Sequence, residues 1–171
     1  MKMLSDWQAP YIQALMRQME TQSKRTLARW AVDEARAALL PLWNRYFPGD
    51  TRPQMALSAA DAWLAGDIKL PEAKGHILAC HAAAREAEGH PAGQAAARAI
   101  GQCASSIHSA RHAIGLALYG ALAIAYDKLG NEAPWAELEQ AAAQECMRML
   151  ASLYAVSVEN EKNPSNIVWH C

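Results

Sequence analysis

Apolar residues recur every three to four positions along most of the chain, the spacing of a helix face, and no stretch alternates in the two-residue rhythm of a strand. The strongest pattern lies at 106–128, SIHSARHAIGLALYGALAIAYDK. One stripe there carries Ile107, Ala110, Ile114, Leu118, Ala121 and Ala125; a second carries His108, His112, Gly115, Tyr119 and Tyr126. A helix occupied on both faces is packed by neighbours on most sides, so this stretch is expected to be the central helix. Its uncharged run, Ala113 to Tyr126, is fourteen residues, too short to span a bilayer.

The remaining elements follow from the same period and its interruptions. A helix is predicted over 7–22, capped by Asp6, with Tyr11, Leu15 and Met19 on one face. A second covers 25–47, and Pro41 should kink or restart it. The loop 48–53, PGDTRP, leads into a third, where Thr51 and Gln54 have capping-box spacing and Pro53 suits the first turn. That helix should run to Ala65, with Met55, Ala59, Ala62 and Trp63 inward and Gly66 as its C-terminal cap. Pro71 opens a fourth helix, to about Glu88, and Pro91 a fifth, to about Ala104. Ser105 and Ser106 are natural N-caps for the central helix. After Gly130-Asn131 a last helix should cover 133–159, with Trp135, Leu138, Ala142, Cys146, Met149, Leu150 and Leu153 inward. The expected fold is thus all-α, a single-domain bundle of six to seven helices. Residues 1–24 would form an N-terminal helical arm at the periphery, 25–160 the helical domain, and 161–171 an irregular tail whose Ile167, Val168 and Trp169 tuck against the body.

Composition narrows the class of function. With 171 residues, 52% hydrophobic and 19% charged, the chain can bury a sizeable core. The net charge of −1 supplies no global field for nucleic acid or a membrane surface, so neither is expected as a partner. The charge is uneven: 1–47 carry seven basic and four acidic side chains, 132–171 six acidic and two basic. Cys80, Cys103, Cys146 and Cys171 form no C-x-x-C pair, which fits reduced buried thiols. The start MKMLSDWQAP lacks the apolar run of a secretory leader, so a cytoplasmic location is expected.

Candidate chemistry concentrates on histidines. His108 and His112, four apart on a predicted helix, would face the same way, and His81 on another helix could complete a zinc or similar divalent site. The middle positions are Ala110 and Arg111, without the glutamate of a zinc protease. The competing reading is that each histidine is satisfied by hydrogen bonds in the core. Joined with Arg85, one turn beyond His81, the same residues would make a polar pocket for an anion or small ligand. Against it stands a structural Arg85 paired with Asp61 or Glu88. Arg52 should pair with Asp50 to fix the loop; turned inward, it would contact a ligand. Trp7 and Trp169, near the two ends, are candidates for a partner surface. The chain carries no P-loop, no dinucleotide fingerprint and no nucleophile elbow, so an enzyme is the less favoured reading.

Taken in order, Trp30-Ala31, Leu40-Pro41-Leu42, Asp50-x-Arg52-Pro53, Ala62-Trp63-x-x-Gly66, His81-Ala82-Ala83-Ala84-Arg85 and His108-x-x-x-His112-Ala113 resemble the Imm-5-like immunity proteins over about 27–128. These are small all-helical bacterial proteins linked to toxin systems. The resemblance implies a cognate protein toxin as partner and neutralisation by occlusion, which needs no catalytic residue. The alternative class is a metal- or small-ligand-binding helical protein using His81, His108 and His112. A third is an oligomerising structural module, a homo-oligomer.

Overall fold

The computed structural model describes residues 2–169, and among them every regular element is helical. Cys171 lies outside the described residues. The α-helices are α1 (Pro10–Glu20), α2 (Lys24–Glu34), α3 (Leu40–Tyr46), α4 (Arg52–Ala65), α5 (Leu70–Glu86), α6 (Pro91–Ser105), α7 (Leu122–Leu129) and α8 (Trp135–Val156). A π segment, Ala35–Leu39, joins α2 to α3, and a 3-10 turn, Ala110–Ile114, with a second π segment, Leu116–Ala121, leads into α7. Counted as continuous rods these make a seven-membered, single-domain bundle, as expected. No described helix is long and apolar enough to cross a membrane.

Helix α6 is the axle. Of its 15 residues, Ala92, Gly93, Ala95, Ala96, Ala97, Ala99, Ile100, Gly101, Cys103, Ala104 and Ser105 are buried. It packs against α2, α3, α4, α5, α7 and both π segments. Such crowding is open only to a thin helix. At Gly93 an added Cβ would lie 2.6 Å from the Phe47 ring, and at Gly101 2.5 Å from the His81 ring. Small residues here let neighbouring helices approach closely.

The 106–128 stretch is central, but its winding differs from a single α-helix. Ser105 and Ser106 do not cap it. The Ser105 hydroxyl donates back to the Gly101 carbonyl (2.8 Å) and Ser106 to that of Cys103 (2.5 Å), so both finish α6. His108 then lies in a turn, and regular structure resumes at Ala110. The π segment has a visible use: the Leu118 carbonyl accepts from the Leu4 backbone N–H at 3.0 Å. π turns unpair a carbonyl in this way. At the other π segment the Leu40 N–H reaches Ala35, five residues back, immediately before Pro41, whose ring cannot continue an α-helical ladder.

Other local expectations also change. Asp6 caps a preceding turn through the Gln8 N–H (2.9 Å), leaving α1 without a side-chain cap. Thr51 makes no capping bond; Asp50 accepts from the Arg52 N–H at 3.0 Å instead. Gly66 does end α4 in the left-handed conformation, φ +88°. Met55 (45% exposed) and Trp135 (36% exposed) do not face inward, and Val168 is exposed. Cys80, Cys103 and Cys146 are free and buried, and burial pushes the Cys80 and Cys146 thiols up to about 12.

The N-terminal segment is part of the core. Ile12, Leu15, Met16 and Met19 of α1 are buried, largely against α8, and Leu4 is 1% exposed. The chain start thus plugs the 110–129 rod. Leu4→Ala should cost about 2–4 kcal/mol in urea unfolding, as a buried leucine does, whereas a peripheral arm would cost almost nothing.

Candidate functional site

The second stripe of the central stretch faces a polar seam beside α6. His81 of α5 packs on Gly101, and Arg98 donates to its Nδ1 at 3.2 Å. His112 in the 3-10 turn pairs through Nδ1 with Gln102 Oε1 at 2.8 Å. Gln102 in turn lies against Gly115, where an added Cβ would sit 2.4 Å from Gln102 Cβ. The rings of His108 and His112 are 5.3 Å apart, centre to centre, and tilted by 56°. The seam therefore brings His81, His112 and His108 into one neighbourhood, as the spacing suggested, but through α6 side chains that the pattern did not mark. Arg98 and Gln102 were legible only as polar residues four apart, with Gln94 four before them, in a helix otherwise made mostly of small residues.

The histidines are not assembled as a metal centre. Among the described residues no group of three or more His, Cys, Asp and Glu side chains is placed to hold a metal. The Arg98 guanidinium occupies the Nδ1 side of His81, and the switch to 3-10 winding puts His108 in a turn instead of one α-helical turn below His112. Arg85 is exposed, and the pairing with Asp61 is absent because Arg36 and Arg29 take that carboxylate. Arg52 is held by Asp50 and by Glu86, each at 2.6 Å, bridging the start of α4 to the end of α5. These two acids hold the guanidinium protonated, and it in turn lowers both carboxyls.

All three seam histidines favour the neutral form. Burial leads in each case; for His81 the nearby Arg98, Arg85 and His112 add to it and bring its pKa down to about 4. The neutral His81 can then accept from Arg98.

Both chain ends roof the seam. Gln22, 2% exposed, clamps the C-terminal strap: its side chain accepts from the Val158 N–H (2.7 Å) and donates to the Val158 carbonyl (3.2 Å), and its own carbonyl accepts from the Ser165 N–H (2.7 Å). The Trp169 indole donates to Glu20 at 2.6 Å, and its ring lies 6.4 Å from that of Trp7. Two cavities remain under this roof. One, of about 280 Å³, is lined by Trp7, Gln102, His112, Tyr119 and Trp169; the other, of about 260 Å³, by His108 and the strap. A separate groove of about 590 Å³ runs between α2 and the end of α8, over Arg25, Arg29, Trp30, Ala155 and Val156.

Comparison with known proteins decides the family. The model described as Imm-5 like putative immunity protein matches residues 17–156. The chain belongs to this family. Nothing among curated proteins matches, and nothing among solved structures does either. The Imm-5-like match includes α8, which the sequence resemblance had left out, and so both walls of the α2/α8 groove. Most of the seam's floor lies within it too. The roof of this Imm-5-like protein, contributed by Trp7 and the strap from Val158 to Trp169, lies outside the matched span.

Two measurements follow from this geometry. Gly115→Ala should destabilise by about 1–3 kcal/mol in urea unfolding, because Gln102 Cβ is fixed to α6 and cannot retreat; no loss would mean the helices separate freely there. Acid should act through the histidines: an unfolded histidine binds its proton near pH 6.5, the folded His81 only near 4. The unfolded state therefore holds more protons in that window, and stability should fall as pH drops from 6.5 toward 4. The His81→Gln variant should show a shallower slope of urea midpoint against pH.

Proposed function

We propose that this protein neutralises a bacterial protein toxin by binding and covering it, through the groove between α2 and α8. Membership of the Imm-5-like family across residues 17–156 carries the reading. The groove supports it as the contact face. Arg25 makes no ion pair among the described residues, and Arg29 approaches Asp61 only at 3.9 Å. Trp30, anchored by its indole N–H to Ser152 at 2.9 Å, forms the apolar floor. Beside it α8 exposes Ala155 and Val156, with Val156 at 50%. An apolar floor edged by Arg25 and Arg29, with Asp33 and Glu34 farther along α2, suits a protein partner that offers an apolar knob flanked by charges of both signs. Occlusion of this kind asks for shape and charge, not for reacting groups.

The experiment is co-expression with the toxin encoded beside the protein's gene. Cells should survive, and the two chains should elute together as a complex. Arg25→Ala combined with Val156→Asp should weaken that complex about 30-fold or more, the loss of roughly 2 kcal/mol typical of a central interface residue, with the urea midpoint unchanged. Undiminished killing in the presence of soluble protein overturns the reading. Full protection by the double variant removes the groove from it.

A further inference from the structure

Beneath the C-terminal strap, the cavity of about 260 Å³ is lined by Lys24, His108, Ser109, Arg111, Ser165 and Asn166 among its polar groups, and no carboxylate lines it. Two buried side-chain atoms have no hydrogen-bond partner among the described residues: His108 Nδ1 and Ser165 Oγ. Both belong to residues of this one cavity. Buried polar groups are nearly always paired, so two orphans on residues lining one small cavity mark a place where something polar belongs.

We propose that this cavity is a binding site for a small oxyanion, of the phosphate class. The charge decides the sign of the ligand. Lys24 comes from the start of α2 and Arg111 from the 3-10 turn, and neither has a carboxylate partner among the described residues. Lys74 of α5 adds a third positive charge close enough, with Lys24, to favour neutral His108. An oxyanion accepts from every donor present: the Lys24 ammonium, the Arg111 guanidinium, the hydroxyls of Ser109 and Ser165, and a His108 Nδ1–H. A metal ion is excluded by the same inventory, since the cavity holds two cations and offers one imidazole. The strap forms one wall of the site, its Ser165 backbone fixed by Gln22, so a ligand bound there contributes to holding the tail down. Arg111 also lines the neighbouring cavity with Trp7, Tyr119 and Trp169. An anion that carries a planar group could therefore extend across Arg111 onto these rings.

The site stands apart from the partner face and is tested without it. Inorganic phosphate and adenosine monophosphate are titrated separately into the full chain by calorimetry at low ionic strength. Saturable one-to-one binding is expected, weakened about tenfold or more by His108→Ala and by Ser165→Ala, each of which removes one donor to a charged acceptor. Added salt should weaken it further. Arg25→Ala, in the α2/α8 groove, should leave it unchanged. Tighter binding of the nucleotide, lost in Trp169→Ala, would identify an anion with a planar group; equal binding would identify the free anion. Ser165 lies on the strap, so its variant keeps the core and serves where His108→Ala folds poorly. Absence of saturable binding of both probes to folded protein overturns the proposal, and so does binding that survives both substitutions.

Discussion

Close approach to α6 is the constraint on which the rest of the bundle depends. A helix with eight apolar alanines and glycines in its buried set can be surrounded on nearly every side, because each neighbour meets backbone and methyl groups in place of long side chains. The neighbours then supply the bulk: Phe47 fills the space over Gly93, and the His81 ring lies over Gly101. This explains why polar chemistry collects where it does. Two of the α6 side chains long enough to reach out, Arg98 and Gln102, meet α5 and the 3-10 turn, and histidines 81 and 112 are the groups they pair with. The seam is thus a by-product of packing around a thin helix before it is anything functional.

Winding adjusts to that packing. The 110–129 rod changes from 3-10 to π to α within a single pass along α6, and each change alters which side chains face the axle. Irregular turns of this kind leave backbone groups needing partners, and the chain supplies one from its own beginning: Leu4 donates to Leu118 while its side chain enters the core. Residues 2–9 have no regular structure, yet Leu4 is anchored by backbone and side chain alike. The π segment before Pro41 obeys the same logic with a local cause.

These causes separate what the sequence shows from what it hides. Helix limits were readable because their signals are local: Pro53, Pro71 and Pro91 open helices, and Gly66 and Gly130 close them at positive φ. The α8 face Leu138, Ala142, Cys146, Met149, Leu150 and Leu153 was readable from its period alone. The roles of Ser105 and Ser106 were not, since either serine could bond forward as a cap or backward to a carbonyl, and the choice lies in where α6 must end. The histidine pair illustrates the limit most clearly. Its spacing of four placed the rings close together, but the metal reading assumed α-helical geometry and empty surroundings; a 3-10 turn, Arg98 and Gln102 supplied neither. The Gln22 clamp joins residues 136 apart in sequence and has no local signature at all.

The two candidate surfaces share elements without sharing lining side chains. Adjacent residues at the start of α2 divide between them, Lys24 toward the strap cavity and Arg25 toward the α8 groove. Val156 ends the groove, and two residues later Val158 begins the strap at the Gln22 clamp. The strap is held by Gln22's bonds to Val158 and Ser165 and by the Trp169 indole on Glu20. The family match ends at 156, at the groove's last residue, and the strap follows directly. The matched body therefore contains both walls of the α2/α8 groove, while the cationic cavity is completed only by chain that lies beyond it.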